Sequence, residues 1–149
     1  MQTRTERIQK DIETLAQFTS TPGKGVTRSS YSKEDTMAKY YLTGEMKKIG
    51  LEIYEDGFGT LFGRREGTMK DAPVVMLGSH YDSVVNGGAF DGVAGSVSAL
   101  EVMRVLTEEG FVNDYPLELI LMNAEEGGYV RTEYRRIQLQ SNARNHDSA

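Results

Sequence analysis

The chain contains no cysteine, which excludes disulfides and thiolate zinc sites together and leaves His, Asp and Glu as the only side chains for holding a metal. It contains no run approaching the roughly 18 consecutive apolar residues of a membrane span. Residues 1–13 are charged throughout and carry no apolar signal core, so a cytoplasmic location with no membrane partner is expected. A positive charge excess is also missing. The net charge of −5 argues against nucleic acid, whose phosphates need clustered Lys and Arg. Lys47, Lys48, Arg64 and Arg65 read as solvated faces. Histidine is scarce, with only two in the chain. With 38% apolar and 26% charged residues, 149 residues suffice for a domain with a real core. No internal repeat is present.

Ile8, Ile12 and Leu15, with Phe18, recur at helical spacing before a breaker cluster at residues 19–23. Ser32 and Asp35 resemble a capping box, after which Ala38, Leu42, Met46 and Ile49 form one apolar face closed by Lys47, Lys48 and Gly50. Leu51 and Ile53 alternate with polar residues, and Asp56-Gly57 signals a turn into a second short run from Thr60 to Gly63, which predicts two neighbouring strands. Residues 73–77 are continuously apolar, as in a strand buried on both faces under helices, and residues 117–122 make a second such strand. Between them Val93, Val97, Leu100, Met103 and Leu106 keep helical spacing up to Gly110. Strand, helix and strand in that order form a βαβ unit, so the fold class is α/β with a largely parallel mixed sheet flanked by helices. Residues 1–127 make one domain. Residues 128–149 differ, carrying Arg131, Arg135, Arg136 and Arg144 against Glu133 and Asp147, and are expected to form a solvated, disordered tail.

In open α/β sheets functional groups gather beyond the carboxyl ends of the strands. His80 follows the first apolar strand, and Glu125 and Glu126 follow the second. Asp91 falls where the loop after His80 enters the next helix, and a carboxylate there is favoured by the helix amino terminus. Each residue alone has a plain reading: a polar strand end, an Asp-Gly turn, a charged surface. Their joint placement after strand ends lifts them together as one metal site. The glycines at 87, 88 and 92 do not match the dinucleotide fingerprint G-x-G-x-x-G.

Several segments resemble the hydantoinase/carbamoylase family of zinc amidohydrolases. They are Gly25-Val26-Thr27-Arg28 with Tyr31-Ser32, residues 59–64, residues 78–84 with 87–92, Ala99-Leu100-Glu101, and Glu125-Glu126-Gly127. The resemblance implies an incomplete metallohydrolase catalytic domain. In it His80 would bind one of two divalent ions, Asp91 would bridge both and Glu126 would bind the second. Glu125 would be the general base, and Asp82 would hydrogen-bond His80 and fix its ring. Zinc is the expected ion, and manganese, cobalt or nickel suit the same donors. The implied reaction is hydrolysis of a linear C–N bond in a small carbamoyl or ureido substrate, with N-carbamoyl-L-amino acids foremost. Allantoate hydrolysis, a peptidase of the wider superfamily and a non-catalytic remnant are the alternatives. Members of the family are homodimers.

The sequence also departs from the family pattern. Thr60 stands where the family has Asn, and Gly128-Tyr129-Val130 replaces a small residue followed by Arg-Phe. The family supplies two further histidines from a much longer chain, whereas here the second histidine is His146. The chain is therefore expected to be the amino-terminal third of such an enzyme, truncated or frameshifted after about Gly127 and inactive alone, with an apolar sheet edge left open.

Overall fold

The computed structural model describes residues 2–69 and 71–127; the expectations for residues 128–149, and His146 with them, lie outside the described residues. Among the described residues there are three helices and four strands: α1 Thr5–Ala16, α2 Lys33–Lys48, β1 Glu52–Glu55, β2 Leu61–Arg65, β3 Val75–His80, α3 Val93–Glu108 and β4 Leu117–Met122. None of the helices is long and apolar enough to cross a membrane.

Local chemistry sets most of the boundaries. Ser32 caps α2, its hydroxyl accepting from the Asp35 amide at 3.1 Å, while the Asp35 carboxylate accepts from the Tyr31 amide at 3.0 Å. The hairpin β1–β2 is shaped by Asp56, whose Oδ1 accepts from the amides of Phe58 and Thr60, both at 2.9 Å. Tyr54 and Phe62, directly opposed across the hairpin, stack with ring centroids 4.6 Å apart. Helix α3 runs to its C-cap at Glu109, and Gly110 follows with a φ of +61°, a left-handed stop that glycine adopts without strain.

The sheet order is β1-β2-β4-β3. β3 and β4 are parallel, while β1–β2 and β2–β4 are antiparallel. The expected α/β class and mixed sheet are therefore present, but the parallel part is confined to the βαβ unit. Register places Leu61, Leu121 and Ser79 in one row and Gly63, Leu119 and Leu77 in the next. The helices cover this face. A Cβ on Gly63 would press on Met46 of α2, and one on Gly95 of α3 would press on Ser79, so both helices sit close to the strands. Leu15, Leu42, Met46, Val97, Leu100, Met103, Leu119 and Leu121 are fully buried there.

The strand at 73–77 was expected to be buried on both faces, and it is not. β3 is an edge strand, and its first residues Val75 and Met76, which point to opposite faces, remain 49% and 53% exposed. An apolar run has the same composition whether or not a further layer is packed on it. Arg64 and Arg65 also differ from the solvated reading: Arg64 binds buried Glu118 at 2.9 Å, and Arg65 binds Asn113 and Thr107.

Helix α1 is held to its neighbours by charge as well as packing. Arg104 of α3 reaches Asp11 of α1 at 2.5 Å and Glu45 of α2 at 2.6 Å, and the Tyr41 hydroxyl donates to Asp11 at 2.6 Å. Asp11 and Arg104 are both buried. Removing Asp11 leaves Arg104 paired with Glu45 but takes one charge-assisted partner from it and the acceptor from the partly buried Tyr41 hydroxyl, so Asp11→Ala is expected to cost about 1–3 kcal/mol in urea unfolding, above a typical surface substitution.

Candidate metal centre

The parallel register is what brings the site residues to one edge. His80 is level with Met122, so the chain leaving β4 places Glu125 and Glu126 beside the end of β3. Asp91 arrives from the other side, immediately before the α3 N-cap Gly92. One ligand atom each from His80, Asp91 and Glu126 lie within 4.8 Å of one another. His80 Nε2 is 3.9 Å from Asp91 Oδ1 and 3.7 Å from Glu125 Oε2. His80 is buried, whereas the Asp91 and Glu125 side chains are 74% and 53% exposed.

Asp82 organises this group from beneath. It is 1% exposed, and both of its carboxylate oxygens have partners. Oδ1 lies 3.4 Å from His80 Nδ1 and accepts from the Glu125 amide at 3.3 Å, while Oδ2 accepts from the Glu126 amide at 3.1 Å and from the Ser30 hydroxyl at 3.0 Å. The Asp82 carbonyl is a further acceptor, 3.2 Å from the same ring nitrogen. With two acceptors around Nδ1, the neutral form of the ring carries its proton there, and Nε2 is the nitrogen that faces Asp91 and Glu125. Ala124 has a φ of +62°, and this left-handed residue lets two successive amides point at one carboxylate. For alanine that conformation costs on the order of 1 kcal/mol, offset here by the charge-assisted bonds to Asp82.

Burial first, then the charges of Asp91, Glu125 and Asp82, hold the Glu126 carboxyl above its usual range, against an opposing pull from His80. A cation among these groups relieves that repulsion. One imidazole nitrogen and two carboxylate oxygens at this separation are donors suited to zinc and to manganese, cobalt or nickel. The residues fit a divalent ion.

The loop between β3 and α3 is pinned by the segment before α2. Val26 and Gly87 exchange backbone bonds of 2.9 and 2.8 Å, and the Ser83 hydroxyl donates to the Val26 carbonyl at 3.1 Å. Arg28 is 1% exposed, and its guanidinium donates to the carbonyls of Tyr81 at 2.7 Å and Leu15 at 2.6 Å. Burial lowers the Arg28 pKa from its ordinary value, opposed by the charges of Asp35 and Asp82. A cleft of about 780 Å³ opens beside the site, with Glu125, Glu126, Asn123, Thr60, Tyr31 and Phe58 in its wall.

The five residues singled out from sequence thus come together. Ser30, Arg28 and the cleft residue Asn123 were not singled out for a role. Ser30 has no local pattern that marks it, and Arg28 stood only within a family-like segment whose buried partners are distant in sequence.

Peptidase family M28 is the family model that matches, over residues 60–135. The chain belongs to this family of hydrolases. It is 49% identical over 122 residues to an N-carbamoyl-L-amino-acid amidohydrolase of Paenarthrobacter aurescens, covering 82% of this chain and 29% of that relative. It is 39% identical to an allantoate amidohydrolase of Bacillus subtilis, covering 78% of this chain and 28% of the relative. Among solved structures, a hydantoinase/carbamoylase family amidase from Burkholderia ambifaria matches with a TM-score of 0.81 at 34% identity, over 85% of this chain and 31% of that one. The resemblance to hydantoinase/carbamoylase amidohydrolases is borne out, and the chain spans under a third of the length of these relatives.

Gly92 has a φ of +63°, and a Cβ there would overlap the His80 ring. Gly92→Ala is therefore expected to displace the imidazole and weaken zinc binding at least tenfold, read by chelator competition, with helix content by circular dichroism retained.

Proposed function

We propose that this chain supplies part of the catalytic centre of a metal-dependent amidohydrolase that cleaves linear ureido C–N bonds, with N-carbamoyl-L-amino acids as the leading substrates. The observation that carries this reading is the convergence of His80, Asp91 and Glu126 at one sheet edge, with Glu125 on the wall of the adjoining cleft. His80, Asp91 and Glu126 would hold divalent ions, which when bound supply a Lewis acid for the carbonyl and lower the pKa of water.

The remaining work falls to side chains. Glu125, exposed at the cleft and 3.7 Å from His80 Nε2, would take the proton of the attacking water and return it to the departing nitrogen. Asp82 keeps the His80 ring in one tautomer and holds the Glu125 and Glu126 backbone. The cleft wall combines the aromatic rings of Tyr31 and Phe58 with polar Thr60 and Asp56, a lining that suits an amino acid derivative with both an apolar side chain and polar ends. Three donors are few for the two ions that this chemistry uses, so turnover by the chain alone is not expected; further ligands and the homodimer are part of the same proposal.

Two measurements test the reading. The chain should bind zinc in a manner abolished by Glu126→Gln. When its matching segment replaces that of the Paenarthrobacter amidohydrolase, the chimera should hydrolyse an N-carbamoyl-L-amino acid with metal dependence, and Glu125→Gln should lower kcat by about 10²–10⁴-fold while leaving zinc bound. A folded, zinc-loaded chimera without activity, or an active Glu125→Gln chimera, would contradict it.

A further inference from the structure

Ser30 belongs to no helix or strand, yet it is held rigidly from both sides. On one flank, Arg28 is anchored through its amide to the Ser83 hydroxyl at 2.9 Å and through its guanidinium to the Tyr81 and Leu15 carbonyls. On the other, the Tyr31 amide is bound by Asp35, and Ser32 is the N-cap of α2. The Ser30 hydroxyl is thus delivered to Asp82 Oδ2 with little freedom left to lose.

We propose that Ser30 is a positioning residue of the metal centre, acting through Asp82 to set both the His80 ring and the Glu125–Glu126 backbone. The inference rests on the assignment of His80, Asp91 and Glu126 as metal ligands. Oδ2 has two donors, the Glu126 amide and Ser30, and Oδ1 has the Glu125 amide and faces His80 Nδ1. The terminal torsion of an aspartate is broad and soft. With Ser30 in place, donors on both oxygens fix the carboxylate plane. Without it, Oδ2 keeps the Glu126 amide alone while Oδ1 keeps the Glu125 amide and His80, and the less evenly held plane tilts about that torsion, changing the directions toward Nδ1 and toward both amides together.

A purely structural hydroxyl would satisfy a buried acceptor and do nothing more. The two roles separate in the metal-free full chain, in buffer alkaline enough to leave the ring neutral, where the His80 tautomer is read from imidazole nitrogen and carbon chemical shifts in a His146→Gln background. The wild-type chain is expected to hold the Nδ1–H form. Ser30→Ala is expected to shift the ring toward a mixture of tautomers and to weaken zinc binding about tenfold, while Ser30→Thr, which keeps the hydroxyl, restores both. A lowered melting temperature with tautomer and zinc affinity unchanged in Ser30→Ala would overturn the proposal, as would failure of the Thr variant to restore them. If the wild-type chain binds no zinc, the metal assignment falls, and the tautomer comparison still decides whether Ser30 acts on the His80 ring.

Discussion

The carboxylate of Asp82 is the point on which the site depends. It lies just past β3, is almost fully buried, and joins three segments that would otherwise be independent: the His80 ring, the turn after β4 and the loop before α2. A buried charge of this kind is tolerated only when its hydrogen-bonding capacity is filled, and here four groups fill it. Satisfying the charge and bringing His80, Glu125 and Glu126 together are one requirement, so the candidate site and the local fold depend on the same contacts.

The rest of the architecture serves that junction. Parallel pairing of β3 with β4 puts His80 and Met122 side by side, and α3 brings Asp91 and Gly92 back over the ring. The left-handed turn at Ala124 points two amides at Asp82 and leaves the Glu125 and Glu126 side chains facing the cleft. Arg28, buried among carbonyls, ties the whole loop region to α1 through Leu15 and to β3 through Tyr81. Buried charge joins segments at Asp82 and at the Asp11–Arg104–Glu45 group, as it does where Arg64 meets Glu118.

Much of this was legible in the sequence because the signals were local. Helical spacing of Ile8, Ile12 and Leu15, the cap at Ser32, the Asp56-Gly57 turn and the βαβ order all reappear as elements. The candidate ligands were legible for a topological reason, since residues following parallel strands must share an edge. The exposed β3 was not legible, because Val75 and Met76 carry no mark of what covers them. Nor were the roles of Arg28 and Ser30, whose partners are more than 50 residues away in Tyr81, Ser83 and Asp82. No local pattern marks Asp11 and Arg104 as buried; both are, where α1 packs on α3.

The central claim is that one carboxylate holds the turn after β4 and the His80 ring together. Amide hydrogen exchange at Glu125 and Glu126 in an Asp82→Ala chain tests it most directly. The account predicts that both amides exchange at least tenfold faster than in the wild type while the amides of β4 and α3 keep their protection. Unchanged protection at Glu125 and Glu126 would contradict it.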